Sequence, residues 1–211
     1  MMKGMVDAQL WAGLEQMDLA LATDQSDRLL AYLLLLQRWN RVYNLTAVRE
    51  PLEMVAKHLL DSLSVLPYLL GDRVLDVGTG AGLPGIPLAI ASPQRVFHLL
   101  DSNSKKTRFL RQAVMDLGLT NIEVIQARME SYLPEEKFAT IVGRAVASIP
   151  DLSAAIGHLL ARPARLLVMK GQRPADVELR GLAPSPDTWR LHRLAVPFLN
   201  AERHLIDARY N

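Results

Sequence analysis

Apolar residues crowd one side of a stretch that begins near Asp24. Leu29, Leu30, Leu33, Leu34 and Leu36 recur there at the three-and-four spacing of a helix. This stretch is predicted as a helix capped by Asp24 and ending near Tyr43. An earlier helix, capped by Asp7, is predicted to run to about Ala22. Residues 44–49 are polar and turn-like, and Pro51 suits the first position of a third helix, which leads through Lys57, His58, Leu59, Leu60, Asp61 and Ser62.

After Gly71 the period changes. Short apolar runs at 73–77, 95–100, 122–126, 138–142 and 164–169 read as strands. Helical patterns separate several of them, one from Ser104 to Leu117 closed by Gly118 and one at 150–160. Strand and helix in alternation predict a mostly parallel, doubly wound sheet of the Rossmann-like α/β class. Two last candidate strands, 189–196 and 204–208, lack a patterned helix between them and suit an antiparallel hairpin at one edge. The expected organisation is an N-terminal helical cap over residues 1–70 on an α/β domain over residues 71–211, together one compact unit.

Composition narrows the function. No cysteine is present, which removes disulfides, thiolate nucleophiles and cysteine-ligated zinc together. The five histidines are scattered without metal-ligand spacing, so no metal is expected. The run Leu29 to Leu36 falls short of the roughly 20 residues that cross a bilayer. The first residues lack the basic and apolar regions of a signal peptide. A cytoplasmic protein without membrane partners is expected, and no coiled-coil seam points beyond a monomer. The net charge is only +2, but residues 160–211 carry nine Lys and Arg against five Asp and Glu. That excess hints at an anionic partner for the last quarter of the chain.

The chemistry concentrates in the loop Asp76-Val77-Gly78-Thr79-Gly80-Ala81-Gly82-Leu83-Pro84-Gly85, which follows one strand and opens a helix. Glycines allow a tight turn and let a ligand approach the backbone. Gly80 to Gly85 fits G-x-G-x-x-G, a weak signal by itself. Asp76 argues against a dinucleotide, because an acid so close to a pyrophosphate is unfavourable. It suits S-adenosylmethionine (SAM), which carries an ammonium and a sulfonium. Asp101, about 20 residues past the loop, stands where an acid accepts hydrogen bonds from a ribose.

Several further stretches read together with this loop: Trp39-Asn40-Arg41-Val42-Tyr43-Asn44-Leu45-Thr46, Lys57-His58-Leu59-Leu60-Asp61-Ser62, Leu100-Asp101-Ser102, Gly143-Arg144-Ala145, Lys170-Gly171-Gln172 and Glu202-Arg203-His204-Leu205. In this order and spacing the chain resembles the bacterial small-subunit (16S) ribosomal RNA guanine-N7 methyltransferases, the glucose-inhibited division protein B family. The resemblance runs from about residue 25 to residue 208. It implies methyl transfer from SAM to a guanine N7, with 16S ribosomal RNA or the small ribosomal subunit as partner. It also implies cofactor contacts at Gly78, Leu83, Met129, Glu130 and Arg144. With the loop reading, the expected cofactor set is Asp76, Gly78, Gly80, Gly82, Leu83, Asp101, Met129, Glu130 and Arg144. Gly143, where members often carry Ser or Ala, and Met129 depart from the usual pattern.

Other residues stay open between two roles. Arg144 either grips a phosphate or guanine edge, or pairs with a carboxylate such as Asp76 or Glu130. Asn40, Asn44 and Thr46 either face the loop, Asn44 as a positioning residue, or serve turn chemistry. Trp39 and Tyr43 read as core, and His58 and Asp61 as a polar pair on one helix face. Lys105, Lys106, Arg108 and Arg111 read first as a solvated helix face. The RNA-contact candidates are Lys105, Arg144, Lys170 and Arg203, with Arg162, Arg165 and Arg173 adding positive field. The competing functions are a SAM-dependent methyltransferase of a small molecule or protein, a non-catalytic module that binds SAM and RNA, and an NAD dehydrogenase.

Overall fold

The computed structural model describes residues 2–144, 148–175 and 185–211, and only the backbone of residues 2 and 3. Ala145, part of one stretch quoted above, lies outside the described residues.

Helix α1 covers Met2–Gln16 and α2 covers Thr23–Tyr43. Asp7 falls inside α1 rather than at its start, and α1 stops before Ala22 because Asp18 takes a left-handed φ of 52°. The start of α2 is set one residue before Asp24. Ala22 is the N-cap, and its N–H donates to Gln25 Oε1 at 2.9 Å. Asn44 ends α2 in the left-handed conformation (φ 49°), as Asn tolerates better than most residues.

Pro51 does open a helix, α3 (Pro51–Met54), but the next six residues, Val55–Leu60, wind as a π-helix before α4 (Asp61–Leu63). Here the Asp61 N–H reaches back to the Ala56 carbonyl, five positions away. Apolar periodicity in a segment this short does not separate the two windings, and the sequence reading treats it as ordinary helix.

The sheet has seven strands: β1 (Arg73–Val77), β2 (Val96–Asp101), β3 (Ile122–Gln126), β4 (Phe138–Arg144), β5 (Leu160–Lys170), β6 (Thr188–Arg193) and β7 (His204–Tyr210). Their order is β3-β2-β1-β4-β5-β7-β6. The first five are parallel, and β7 is antiparallel to both β5 and β6. The expected hairpin therefore exists, with its second strand inserted against β5 and its first left at the edge. Helices α5 (Gly85–Ala91), α6 (Ser104–Asp116) and α7 (Ile149–Ile156) complete the crossovers. Gly118 lies just past α6 with φ 62°, as a C-terminal stop requires.

Alternation along the strands sends side chains to two cores. Val74, Phe97, Leu99, Val142 and Leu167 join the N-terminal helices and α6 through Leu29, Leu36, Leu59, Phe109 and Leu110. Leu75, Val77, Ile141, Leu166 and Val168 meet α7 through Ile149, Leu152 and Ile156. The N-terminal helices thus share one continuous core with the sheet. Thr140 Oγ1 ties the junction, accepting from the Leu70 N–H and donating to the Leu70 carbonyl, each at 2.8 Å. This packing brings the ends of β1, β2 and β4 under the helical layer at the point where strand order reverses, the usual position for a ligand crevice.

Candidate cofactor site and basic recess

The glycine loop is held from below. Asp76 is fully buried, and its Oδ2 accepts from Thr79 Oγ1 at 2.6 Å and from the Gly85 N–H at 2.8 Å. Burial pushes its carboxyl up to about 7, against the hydrogen bonds from Thr79 and Gly85. The sequence reading sets Asp76 against the cofactor's cationic groups. The structure instead sets it beneath the loop as the strut that shapes it, with no surface for a ligand to meet. Gly85 is required by that strut, because a Cβ there would come within 2.7 Å of Asp76 Oδ2 and would collide with Leu99.

From above, Tyr32 on α2 is fully buried and donates its hydroxyl to the Ala81 carbonyl at 2.7 Å. Burial raises its pKa, so it stays a donor. No sequence signal marks this Tyr, since it lies 49 positions from its partner.

On its open side the loop borders a hollow of about 110 Å³ lined by Gly78, Leu100, Asp101, Ser102 and residues 127–130. Four of the sequence-predicted cofactor residues, Gly78, Asp101, Met129 and Glu130, meet there. Asp101 Oδ1 accepts from the Asn103 N–H at 2.9 Å and Oδ2 from the Gly80 N–H at 3.0 Å, so the acid also fixes the loop. Lys106, read from sequence as a solvated charge, places Nζ 3.4 Å from Asp101 Oδ2. Gly80 has φ +62°, and nothing lies closer than 3.8 Å to where its Cβ would be, which leaves an open face over the backbone. Gly82 and Leu83 do not line the hollow. Both are buried, Gly82 against Ile86 and Leu110 and Leu83 in the hydrophobic core.

A nucleoside fits this chemistry: an acid at the end of β2, an open glycine backbone and the short turn Met129–Ser131 facing it. Among the described residues, no group of three His, Cys, Asp or Glu could hold a metal ion.

Beside the loop lies a second and larger space, a recess of about 330 Å³ lined by Val48, Lys57, His58, Asp61, Arg144, Met169, Lys170, Gly171 and Arg203. Arg144 stands one residue beyond the Val77 to Gly143 pairing and lines this recess but not the hollow, so its expected cofactor contact is not seen in the hollow's lining. Its partner is neither Asp76 nor Glu130. Arg144 Nη1 donates to the Lys57 carbonyl at 3.1 Å and lies 3.4 Å from Asp61 Oδ2. The other oxygen, Asp61 Oδ1, accepts from Arg203 Nε at 2.9 Å. The Asp61 side chain is 4% exposed, so one buried carboxylate holds two guanidiniums. Burial pushes its carboxyl up and the two arginines pull it down.

His58 does not bond Asp61. Its Nε2 lies 2.9 Å from Thr46 Oγ1, and burial together with Arg144 lowers its pKa to about 4, so the ring is neutral near pH 7. Thr46 in turn gives its N–H to Asn40 Oδ1 at 2.9 Å, which joins the end of α2 to the recess wall. Asn44 takes the turn role: it is exposed, accepts from Arg49 Nη2 at 3.2 Å, and lines neither space. Trp39 stacks on Tyr43 with centroids 5.1 Å apart and leans on Phe109.

Arg165 lies midway along β5, about 17 Å from Lys170 at the usual strand rise, and Arg162 lies farther still, near the strand's start. Arg162 binds the Asn211 carbonyl and Arg165 the Tyr68 carbonyl. Their expected contribution to the field at the recess is not supported by this placement.

Comparison with known proteins decides the family. The rRNA small subunit methyltransferase G family matches residues 25–206. The chain belongs to that family. Among its relatives is the ribosomal RNA small subunit methyltransferase G of Marinobacter nauticus, 50% identical over 94% of this chain and 92% of its own length. The same protein of Nitrosococcus oceani is 52% identical over 93% of this chain and 92% of its own. Among solved structures, magnesium protoporphyrin IX methyltransferase from Synechocystis with bound SAM superposes with a TM-score of 0.61 at 19% identity, over 91% of this chain and 99% of that one. TYW2 of M. jannaschii in complex with AdoMet gives 0.56 at 14% identity, over 72% and 74%. These two likenesses are of fold. Family membership makes the chain a methyltransferase and sets the NAD dehydrogenase aside.

Proposed function

We propose that this methyltransferase moves the methyl group of SAM to N7 of one guanine in 16S ribosomal RNA. The observation that carries the reading is the juxtaposition at the ends of the parallel strands. A hollow with an acid and an open glycine backbone lies near a basic recess lined by Lys57, Arg144, Lys170 and Arg203.

In this reading the cofactor brings a methyl group already activated on a sulfonium. The chain's own residues bind and orient. Gly78 and Gly80 give backbone approach, Asp101 accepts the ribose hydroxyls in competition with Lys106, and residues 129 and 130 close the far wall. Leu83 and Gly82 shape the loop from inside the core, and Asp76 braces it.

Guanine N7 carries a free lone pair at neutral pH, so no general base is required to expose it. Rate then comes mainly from placing two reactants in line, which supplies several kcal/mol. N7 is hidden in the deep groove of an A-form helix, so the target is a loop or an extruded base. Every residue used comes from one chain, so a monomer suffices. No helix among the described residues is long and apolar enough to cross a membrane, and the reading places the protein with ribosomes in the cytoplasm.

The test is methyl transfer from labelled SAM to small ribosomal subunits, and to their extracted RNA, from cells lacking this protein. Label on a single N7-methylguanosine is expected, and the better substrate form identifies the natural target. Label on a protein or small molecule, with none on RNA, would overturn the reading.

A further inference from the structure

The recess is lined by four cationic side chains, Lys57, Arg144, Lys170 and Arg203, and one carboxylate, Asp61, with His58 neutral in its wall; Lys57 also pairs with Glu53 at 3.2 Å. Such a surface suits an anion. It does not suit the reacting base, because a guanine gains positive charge as its N7 is methylated, and four cations would oppose that change. The ligand that fits is a backbone phosphate of the same strand, next to the reacting nucleotide.

The two arginines are held in place. Arg144 and Arg203 are 23% and 20% exposed, and each is fixed twice. Arg144 is held by Asp61 and by the Lys57 carbonyl, and Arg203 by Asp61 and by the Glu202 carbonyl at 2.8 Å. A planar guanidinium that is already oriented loses less freedom when it meets a phosphate than a free side chain does. Asp61 comes from the helical layer, Arg144 from the end of β4 and Arg203 from the turn before β7. The carboxylate therefore joins three elements around one space.

We propose that this recess binds the RNA phosphate beside the target guanosine, and that Asp61 is the positioning residue that aims Arg144 and Arg203 at it. The proposal rests on the ribosomal RNA reading above. It differs from a simple attraction between a basic surface and RNA in a way that can be measured. Asp61→Asn removes a negative charge and so makes the recess more positive. If net charge alone mattered, RNA would bind more tightly. If Asp61 works by fixing the two arginines, RNA binds more weakly despite the added charge.

The experiment measures binding of the full chain to 16S ribosomal RNA from cells lacking it, by filter retention at several salt concentrations. SAM binding is measured in parallel by calorimetry. Asp61→Asn is expected to weaken RNA binding about fivefold to tenfold, with a higher KM for the small subunit. Asp61→Glu, which keeps the charge, is expected to recover part of the loss. Arg203→Gln is expected to reduce the slope of log affinity against log salt by about one, the loss of one phosphate contact. A merely structural Asp61 would lower the melting temperature and leave the affinity of the folded fraction unchanged or improved, and that result overturns the proposal. Should Asp61→Asn fail to fold, Arg203→Gln carries the test, and an unchanged salt slope overturns it. Absence of methylation by the wild-type chain would defeat the ribosomal RNA reading itself, whereas wild-type methylation with tighter binding by Asp61→Asn defeats only this inference.

Discussion

The hollow at the glycine loop and the basic recess beside it are built by opposite means. The hollow is made of near neighbours. Asp76 braces Gly85 nine positions away and Thr79 three away, and most of the donors are backbone amides. The recess is made of strangers. Its central bond joins the Asp61 and Arg203 side chains across 142 positions. The hollow needs the ends of β1, β2 and β3 with the turns that follow them, and Tyr32 from the helical layer above the loop. The recess exists only when the helical layer, β4 and the β7 turn are all in place. Apart from the Tyr32 bond to the loop, cofactor binding should thus survive damage to the helical layer better than RNA binding does.

The largest expected effect separates the two. Gly80→Val puts a branched residue at φ +62° on the open face of the loop, a conformation costing about 1–3 kcal/mol for such a side chain. SAM affinity should fall about a hundredfold or more, roughly 2.7 kcal/mol. RNA affinity should stay within about twofold. Calorimetry and filter binding on the same preparation check this, and a joint loss would mean the regions are not separable.

A pH experiment comes next, because Asp76 under the loop and His58 in the recess wall are buried and shifted in opposite senses. Asp76 has a folded pKa of about 7 against 3.8, so the folded state holds a proton that the unfolded state has lost. Its contribution is most favourable below pH 4 and declines as pH rises to about 7. His58 has a folded pKa of about 4 against 6.5, so here the unfolded state binds the extra proton. Its contribution is present above pH 6.5 and lost as pH falls towards 4. Asp76 is worth up to about 4 kcal/mol and His58 up to about 3 kcal/mol, and between pH 4 and 6.5 their slopes nearly cancel. Urea unfolding should show Asp76→Asn gaining stability with rising pH relative to wild type, and His58→Gln losing it. Parallel profiles for all three proteins would refute the assignment.

Tyr32→Phe tests the one bond that carries the helical layer into the loop. Leaving the Ala81 carbonyl unpaired should cost about 1–2 kcal/mol in denaturant unfolding. SAM affinity should fall about threefold while RNA binding holds. The smallest effect is expected from Lys105→Ala. Lys105 is exposed near the start of α6 and lines neither space. Its loss should weaken RNA binding about twofold at low salt and not at all at high salt. A tenfold loss would move the RNA path across α6.

These differences also explain what the sequence disclosed. Strand and helix alternation, the loop and the acid at 101 are local patterns, and the hollow assembled from Gly78, Asp101, Met129 and Glu130 follows them. Asp76 was legible as important but not in its role, because a motif does not say which side of a loop an acid occupies. Arg144 was legible as a strand-end cation, yet its partner Asp61 lies 83 positions earlier on another element. Spacing on one helix suggested instead that His58 and Asp61 pair. Arg162 and Arg165 looked like neighbours of Lys170 by number, and strand length carried them away from it. Tyr32 offered no signal, since one aromatic on an apolar helix face is what any core requires.

The π-wound segment Val55–Leu60 has a consequence for what insertions and deletions the chain can bear. It holds one residue more than an ordinary helix would fit into the same span. Deleting that residue would leave a helix of good pattern and full backbone bonding. Deleting a residue from an ordinarily wound turn beside it would instead rotate everything beyond by about 100°, swinging Asp61 off both arginines. The surface loops can lengthen or shorten at small cost. This buried helix cannot, because here the count of residues, more than their kind, decides where the carboxylate points.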